Sequence, residues 1–168
     1  LRDIPNASTS AQYLGSNTTC TLDLNGHTIF GTVTKLLNIN ASGTTFIITD
    51  NSAEKTGKIS MSCASNSRIY NVYVTNGTLI LNGGTIFAEN TRAYDSSSAK
   101  STAVSAVYVT AGKTFTMNGG TVHAKGCYAA RGVEIAGATT ANATVNINGG
   151  TITAETTQVS TAQGIYIV

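Results

Sequence analysis

A short segment that recurs along the chain constrains its fold more than any other feature. Residues 78–89 read TLILNGGTIFAE, and copies stand at 114–125 (TFTMNGGTVHAK), 144–155 (TVNINGGTITAE) and 21–31 (TLDLNGHTIFG), with a more diverged copy within 45–62. In the close copies apolar and polar residues alternate on both sides of a turn containing Asn and Gly, which enter left-handed backbone conformations at little cost. Each copy therefore predicts two short β-strands separated by a tight turn.

A third short strand belongs to each repeat. Alternating apolar triplets occur before the copies and once after the last, as LNI at 37–39, VYV at 72–74 and 107–109, VEI at 133–135 and IYI at 165–167. An equivalent β-branched residue recurs at spacings of 30, 27, 36 and 30 residues, at Ile29, Ile59, Ile86, Val122 and Ile152. Repeats of this length, each too small to bury its own apolar face, indicate a stacked solenoid.

Three strands per repeat and no helical segment predict an all-β fold, a parallel β-helix of about five coils. The expected hand is right, as it is for nearly all parallel strand connections. Hairpins stacked in a sandwich are the alternative, but they would not require near-identical residues at equivalent places in every repeat. The whole chain, residues 1–168, then forms one domain, with 1–19 as an N-terminal cap or partial coil.

Two sets of equivalent residues are predicted to form ladders from coil to coil. An asparagine ladder, in which each side-chain amide bonds to the coils above and below, is expected at Asn25, Asn82, Asn118 and Asn148. A charge ladder of alternating sign is expected at Glu89, Lys125 and Glu155. Exposed ion pairs contribute about 0–1 kcal/mol, so a structural role is the simpler interpretation of the charged set.

The outward positions of the third-strand series hold the candidate ligand or partner contacts. Tyr73, Tyr108, Glu134 and Tyr166 should stand on one face, in line with Asn38. Tyrosine suits a sugar-stacking platform or a protein contact because its ring is apolar and its tip polar. The competing interpretation is cross-strand aromatic packing that stiffens the sheet. Both interpretations are compatible with these residues.

The last residues, 164–168, read as the start of a further coil, with no polar segment after them. The end of a solenoid exposes apolar core and unpaired strand edges. The possible end-stacking strand is Ile165, Tyr166, Ile167 and Val168. Its expected partner is either a second copy of the chain, stacked end to end into a filament, or further coils of the same protein.

The other polar residues predict no catalytic, cofactor-binding or metal-binding site. Polysaccharide-cleaving enzymes need acids gathered on one face, whereas Asp23 aligns with uncharged residues and the remaining loop acids fall in different loops. Neither histidine aligns with an acid, and the three cysteines form no Cys-x-x-Cys motif. An enzyme is therefore not expected.

The distribution of charged residues and the length of the apolar runs limit the kinds of partner that the sequence predicts. Only 11% of residues are charged, and the net charge of +2 comes from scattered basic residues, so the Lys and Arg stripe of a nucleic-acid surface is missing. No apolar run approaches the roughly 20 residues that span a bilayer. Few charges with abundant Thr, Val, Ile, Gly and Asn are typical of an extracellular β-solenoid. Self-association and glycan binding remain as expected interactions.

The segments LDLNGHTI (22–29), TFIITDNSAEKTGKI (45–59) and the NGGTI copies resemble repeats of large secreted and cell-wall proteins of Gram-positive, often gut-dwelling, bacteria. These look like members of the right-handed parallel β-helix, pectate-lyase-like superfamily. The resemblance covers most of the chain and implies the fold and an extracellular or cell-surface location. The catalytic sets of the lyases and hydrolases in this superfamily have no matching positions here.

The sequence thus favours a non-catalytic structural or adhesive β-solenoid of a secreted cell-surface protein, one that could assemble end to end. The first alternative is a carbohydrate-binding module that uses an exposed tyrosine stripe. A polysaccharide lyase-like or hydrolase-like β-helix ranks last.

Overall fold

The chain winds three parallel β-sheets around one apolar core. The structure, a computed structural model, describes residues 12–13, 15–94, 103–137, 141–158 and 161–168. Most of the predicted cap at 1–19 lies outside these ranges. Its described part contains a two-residue strand that pairs with the next coil, and the start of a second strand.

Successive coils contribute one strand to each sheet. Sheet I contains β1 (Gln12–Tyr13), β4 (Lys35–Ile39), β7 (Ile69–Val74), β10 (Val104–Val109), β13 (Ala129–Ile135) and β16 (Thr161–Ile167). Sheet II contains β2 (Thr19–Asp23), β5 (Thr45–Thr49), β8 (Thr78–Leu81), β11 (Thr114–Met117) and β14 (Thr144–Ile147). Sheet III contains β3 (Thr28–Gly31), β6 (Lys58–Cys63), β9 (Thr85–Asn90), β12 (Thr121–Gly126) and β15 (Thr151–Thr156).

Every neighbouring pair of strands within a sheet is parallel and joins consecutive coils. The predicted right-handed parallel β-helix of three strands per coil is therefore confirmed, with five complete coils followed by β16. The described residues include no helix, and so none that is long and apolar enough to cross a membrane.

Stacking of equivalent residues builds the core. The β-branched column pairs in the predicted order, from Ile29 through Ile59, Ile86 and Val122 to Ile152. Its middle members are buried, whereas Ile152 in the last coil is half-buried. A coil is covered only when another lies on each side of it, so residues predicted to point inward keep exposed surface at this end of the stack.

The turns between sheets II and III carry the asparagine ladder. The Asn118 amide donates to Asn82 Oδ1 at 2.8 Å, and the Asn148 amide donates to Asn118 Oδ1 at 2.8 Å. The second glycine of each of these turns has a positive φ, as at Gly120 (81°), where an added Cβ would lie 2.4 Å from the Gly84 carbonyl oxygen. Only glycine permits that backbone conformation and that spacing between coils.

Asn25 does not belong to this ladder, and the prediction that placed it there is wrong. Leu22 pairs with Ile48, which pairs with Leu81, so Leu22 rather than Leu24 is level with Leu81. Asn25 instead lies within its turn with a φ of 45°, and its N–H donates to Asp23 Oδ1 at 3.0 Å. From the residue level with Leu81 to the residue level with Ile86, the first coil therefore uses two more residues than the third.

The second coil has the longest of these turns, residues 50–57. Its first residue, Asp50, is buried and accepts hydrogen bonds from the N–H of Gly26 at 2.8 Å and of Gly57 at 2.6 Å. Ser52 donates to the same carboxylate through its hydroxyl at 2.8 Å and its N–H at 3.2 Å. The carboxylate thus holds its own turn closed and ties it to the turn of the first coil.

Candidate functional site

The outer face of sheet I brings together the residues predicted as a ligand or partner stripe. Asn38 pairs with Tyr73, Tyr73 with Tyr108, Tyr108 with Glu134, and Glu134 with Tyr166. These five residues form one column across consecutive strands, because parallel strands in register place equivalent side chains above one another.

A second outward column runs beside the first, and the sequence pattern did not reveal it. Tyr70 is level with Lys35 and Ser105, and Ser105 is level with Arg131. Each of these residues lies three positions before a member of the first column, a spacing that would normally put the two side chains on opposite faces.

A bend in β7, where one extra residue points inward, explains how Tyr70 joins the second column. In β7, Asn71 and Val72 are both buried between the half-buried Tyr70 and Tyr73. The Asn71 amide donates to the carbonyl oxygens of Ile59 at 2.9 Å and Phe87 at 2.6 Å inside the coil. Two consecutive inward residues shift the alternation by one, which returns both tyrosines to the same outer face.

Tyr70, Tyr73 and Tyr108 form a tyrosine cluster. The ring centroids lie 5.0 Å apart for Tyr70 and Tyr73, 4.8 Å for Tyr70 and Tyr108, and 5.0 Å for Tyr73 and Tyr108. Burial is the main reason that the pKa of Tyr70 rises to about 12 and that the pKa of Tyr108 is also raised. All three rings are half-buried and pack on one another, as sheet stiffening requires.

Glu134 interrupts the stripe rather than extending it. It stands in the outward column, yet its side chain has no exposed surface. Arg68 donates to its Oε1, Ser105 Oγ donates to its Oε2 at 2.5 Å, and Arg131 Nη1 lies 3.1 Å from Oε1. The expectation of a continuous exposed stripe through Glu134 is thus wrong, because two arginines and a serine enclose the carboxylate.

The two arginines differ in their setting. Burial on its own lowers the pKa of Arg68, but the attraction of the Glu134 carboxylate, with smaller contributions from neighbouring tyrosines, raises the pKa overall. Arg131 places its guanidinium 3.8 Å from the centroid of the Tyr166 ring, a cation–π contact. Tyr166 is therefore separated from the tyrosine cluster by a charged centre of Arg68, Arg131 and Glu134.

An arginine pocket of about 210 Å³ opens beside this charged centre. Its lining includes Arg68, Arg131, Tyr128, Tyr166 and Ala103. Sequence reasoning missed Arg68, which comes from the turn before β7, and Tyr128, which comes from the turn before β13. The only sequence signal for Arg131 was its position three residues before Glu134, the same offset that separates Tyr70 from Tyr73.

The charge ladder lies on the outer face of sheet III. Lys125 Nζ is 3.8 Å from Glu89 Oε1 and 3.4 Å from Glu155 Oε1. Ser62 donates to Glu89 at 3.0 Å, and His123 Nε2 lies 3.6 Å from Glu155 Oε1. These side chains are partly exposed, so the ladder contributes about 0–1 kcal/mol per pair.

Within the described ranges, no group of three His, Cys, Asp or Glu side chains is placed as a metal site would require. The cysteines form no disulfide with one another. Of the described acids, Asp50 and Glu134 are buried, and both are engaged by hydrogen-bond donors from other coils. Their arrangement serves cohesion between coils.

The possible end-stacking strand, β16, lies beside β14 and β15 at the C-terminal end of the described stack, which is called the open end below. Ile165, Ile167 and Val168 are exposed by 46%, 70% and 65%, while Tyr166 is half-buried beneath Arg131.

Comparisons of the chain with protein-family models, with curated proteins and with solved structures each find no match. Proposals about function therefore start from the geometry of the fold and its two distinctive surfaces.

Proposed function

We propose that this chain is a non-catalytic structural or adhesive β-solenoid of a secreted cell-surface protein, and that its open end stacks on a second copy of the chain. The exposed apolar end of the stack carries the proposal. The low charged fraction and the repeat pattern, which resembles that of the pectate-lyase-like superfamily, support an extracellular setting.

Side chains at the open end are those that a further coil would bury. Ile147 is 42% exposed, whereas its in-register neighbour Met117 is completely buried. Ile165 is 46% exposed, whereas its neighbour Val133 is completely buried. Contiguous exposed apolar surface of this kind marks an interaction site more often than isolated exposed residues do.

The strand edges at this end are also available for pairing. β14, β15 and β16 each pair with a strand on one side only, and at the other end of the stack β2 and β3 do the same. Among the described strands, the parallel edges at the two ends are complementary, because each offers N–H and C=O groups with the same spacing. A contact between opposite ends is heterologous, and without rotational closure it propagates into a filament.

The test is the assembly state, measured by multi-angle light scattering over a concentration series and by electron microscopy. We expect concentration-dependent, linear assemblies that Ile167→Lys abolishes, since a lysine there would be buried at the junction. Ile80→Lys is the matched control, because Ile80 is half-buried on the outer wall of the central β8 and lies away from both ends. A wild-type chain that stays monomeric at every concentration contradicts self-assembly.

The runner-up is a carbohydrate-binding module, and the tyrosine cluster is the observation that favours it. The rings of Tyr73 and Tyr108 keep part of their surface exposed, and Lys35 Nζ lies 4.5 Å from the Tyr73 ring centroid. Carbohydrate binding ranks second because the tyrosine rings pack on each other and the buried Glu134 ends the tyrosine stripe.

A further inference from the structure

The arginine pocket has more cationic charge than the described side chains around it neutralise. Arg68 and Arg131 share one carboxylate, that of Glu134, which leaves one positive charge in excess among these three groups. No described residue that lines the pocket has a carboxylate side chain. A concave site with an excess of one sign of charge raises the local concentration of ions of the opposite sign.

The hydrogen-bonding capacity of Arg131 is also incompletely used. Its Nε and Nη1 atoms are buried and have no hydrogen-bond partner among the described residues. Nη1 lies within ion-pair distance of Glu134, at 3.1 Å, but without the alignment of a hydrogen bond. Buried donors are nearly always satisfied in folded proteins, and an exception commonly marks the place of a water or an ion.

The guanidinium of Arg131 is held in a fixed orientation. It stacks on the Tyr166 ring at 3.8 Å, and its side chain is only 13% exposed. Arginine recognises oxyanions through parallel N–H donors of its planar fork, and a fork whose plane is already fixed loses little entropy on binding. Arg68 is more exposed and lines the same pocket.

We propose that the arginine pocket binds a single oxyanion group, a carboxylate or a sulfate ester, carried by an external ligand. Arg131 supplies a guanidinium of fixed orientation, Arg68 supplies the second positive charge, and Tyr128 and Tyr166 supply aromatic walls for the part of the ligand next to the anion. The Glu134 carboxylate contacts both arginines and therefore competes with the external anion for them. This site adjoins the open end, because Tyr166 and Val168 of the possible end-stacking strand are among its lining residues.

Saturation-transfer NMR with small probes tests the proposal at concentrations where the chain is monomeric, so that assembly does not cover the pocket. The probes are acetate, methyl sulfate and acetamide, each with a methyl signal and measured at matched ionic strength. We expect saturable binding of acetate or of methyl sulfate, and the stronger of the two identifies the oxyanion. Acetamide has nearly the shape of acetate without its charge, so equal binding of acetamide overturns the proposal.

Substitutions locate the binding. Arg131→Gln is expected to weaken anion binding about tenfold, because the charged fork is lost. Lys113→Gln is the matched control that removes the same charge from the turn between β10 and β11, and it should leave binding unchanged. Equal weakening in both variants would show a general charge effect and would contradict a built site.

Two further variants keep the test decisive if Arg131→Gln fails to fold. Arg131→Lys keeps the charge but loses the planar fork, so binding should still weaken several-fold. Glu134→Gln removes the competing carboxylate and should tighten anion binding several-fold. Unchanged binding in the lysine variant, or weaker binding in the glutamine variant, overturns the assignment.

Discussion

At the scale of single residues, Asp50 shows how a buried carboxylate can be stabilised by hydrogen bonds. Burial on its own raises the pKa of Asp50, but hydrogen bonds from Ser52, Gly26 and Gly57 outweigh burial and hold the pKa below its ordinary 3.8. The folded state therefore binds the proton less tightly than the unfolded chain. The resulting stabilisation is present above the unfolded pKa of about 3.9 and is lost as the pH falls through the folded pKa.

Asp50→Asn is expected to lower the free energy of unfolding at neutral pH by about 1–3 kcal/mol, because an amide cannot accept all of these hydrogen bonds. The variant should also lose less stability than the wild type when the pH falls from about 5 to about 2. Urea denaturation across that range measures both effects. Asp23→Asn, at an exposed carboxylate with three hydrogen bonds at 3.0 Å, is the control and should cost less. An equal loss of unfolding free energy in Asp50→Asn and Asp23→Asn would contradict the importance of burial at Asp50.

At the scale of secondary-structure elements, the asparagine ladder links the turns of three consecutive coils. Asn118 takes part in two of the ladder's hydrogen bonds and Asn82 in one. Each is expected to contribute about 0.5–1.5 kcal/mol, so Asn118→Ala should cost about twice as much as Asn82→Ala. Both substitutions alter the same kind of turn, which makes each the control for the other. If chemical denaturation gave the same loss of unfolding free energy for both variants, the effect would come from turn propensity alone.

The same turns explain why the fold was predictable and the first coil's register was not. A shift of one residue would turn every side chain of a strand to the opposite face, whereas a shift of two leaves the faces unchanged. The pattern around Leu22 and Leu24 therefore fits either register. Pairing with the second coil, where Asp50 bonds to the turn of the first, selects the register in which Asn25 leaves the ladder.

The candidate site was predictable in part for a related reason. Strict alternation identifies the column of Tyr73, Tyr108 and Glu134, but it cannot identify Tyr70 and Arg131, which reach that face through a bend. Nor does alternation report that arginines enclose Glu134, since Arg68 arrives from a turn. Contacts formed by bends and turns depend on three-dimensional packing more than on the period of the strands.

At the scale of the whole molecule, stability should decrease toward the open end. Leu81 and Ile147 occupy one column, but Leu81 is completely buried and Ile147 is 42% exposed. Leu81→Ala is expected to cost about 2–5 kcal/mol, and Ile147→Ala less than about 1 kcal/mol. Denaturation at concentrations where the chain is monomeric measures both. A loss at Ile147 as large as at Leu81 would contradict an uncovered end.

The turns between sheets II and III also matter for how such a chain can change over generations. They contain four residues in the first coil, eight in the second and three in each of the others, yet the strands on either side stay in register. Insertions and deletions at this corner are thus absorbed outside the stack. Mutation can therefore vary the content of the corner while selection keeps the coil intact.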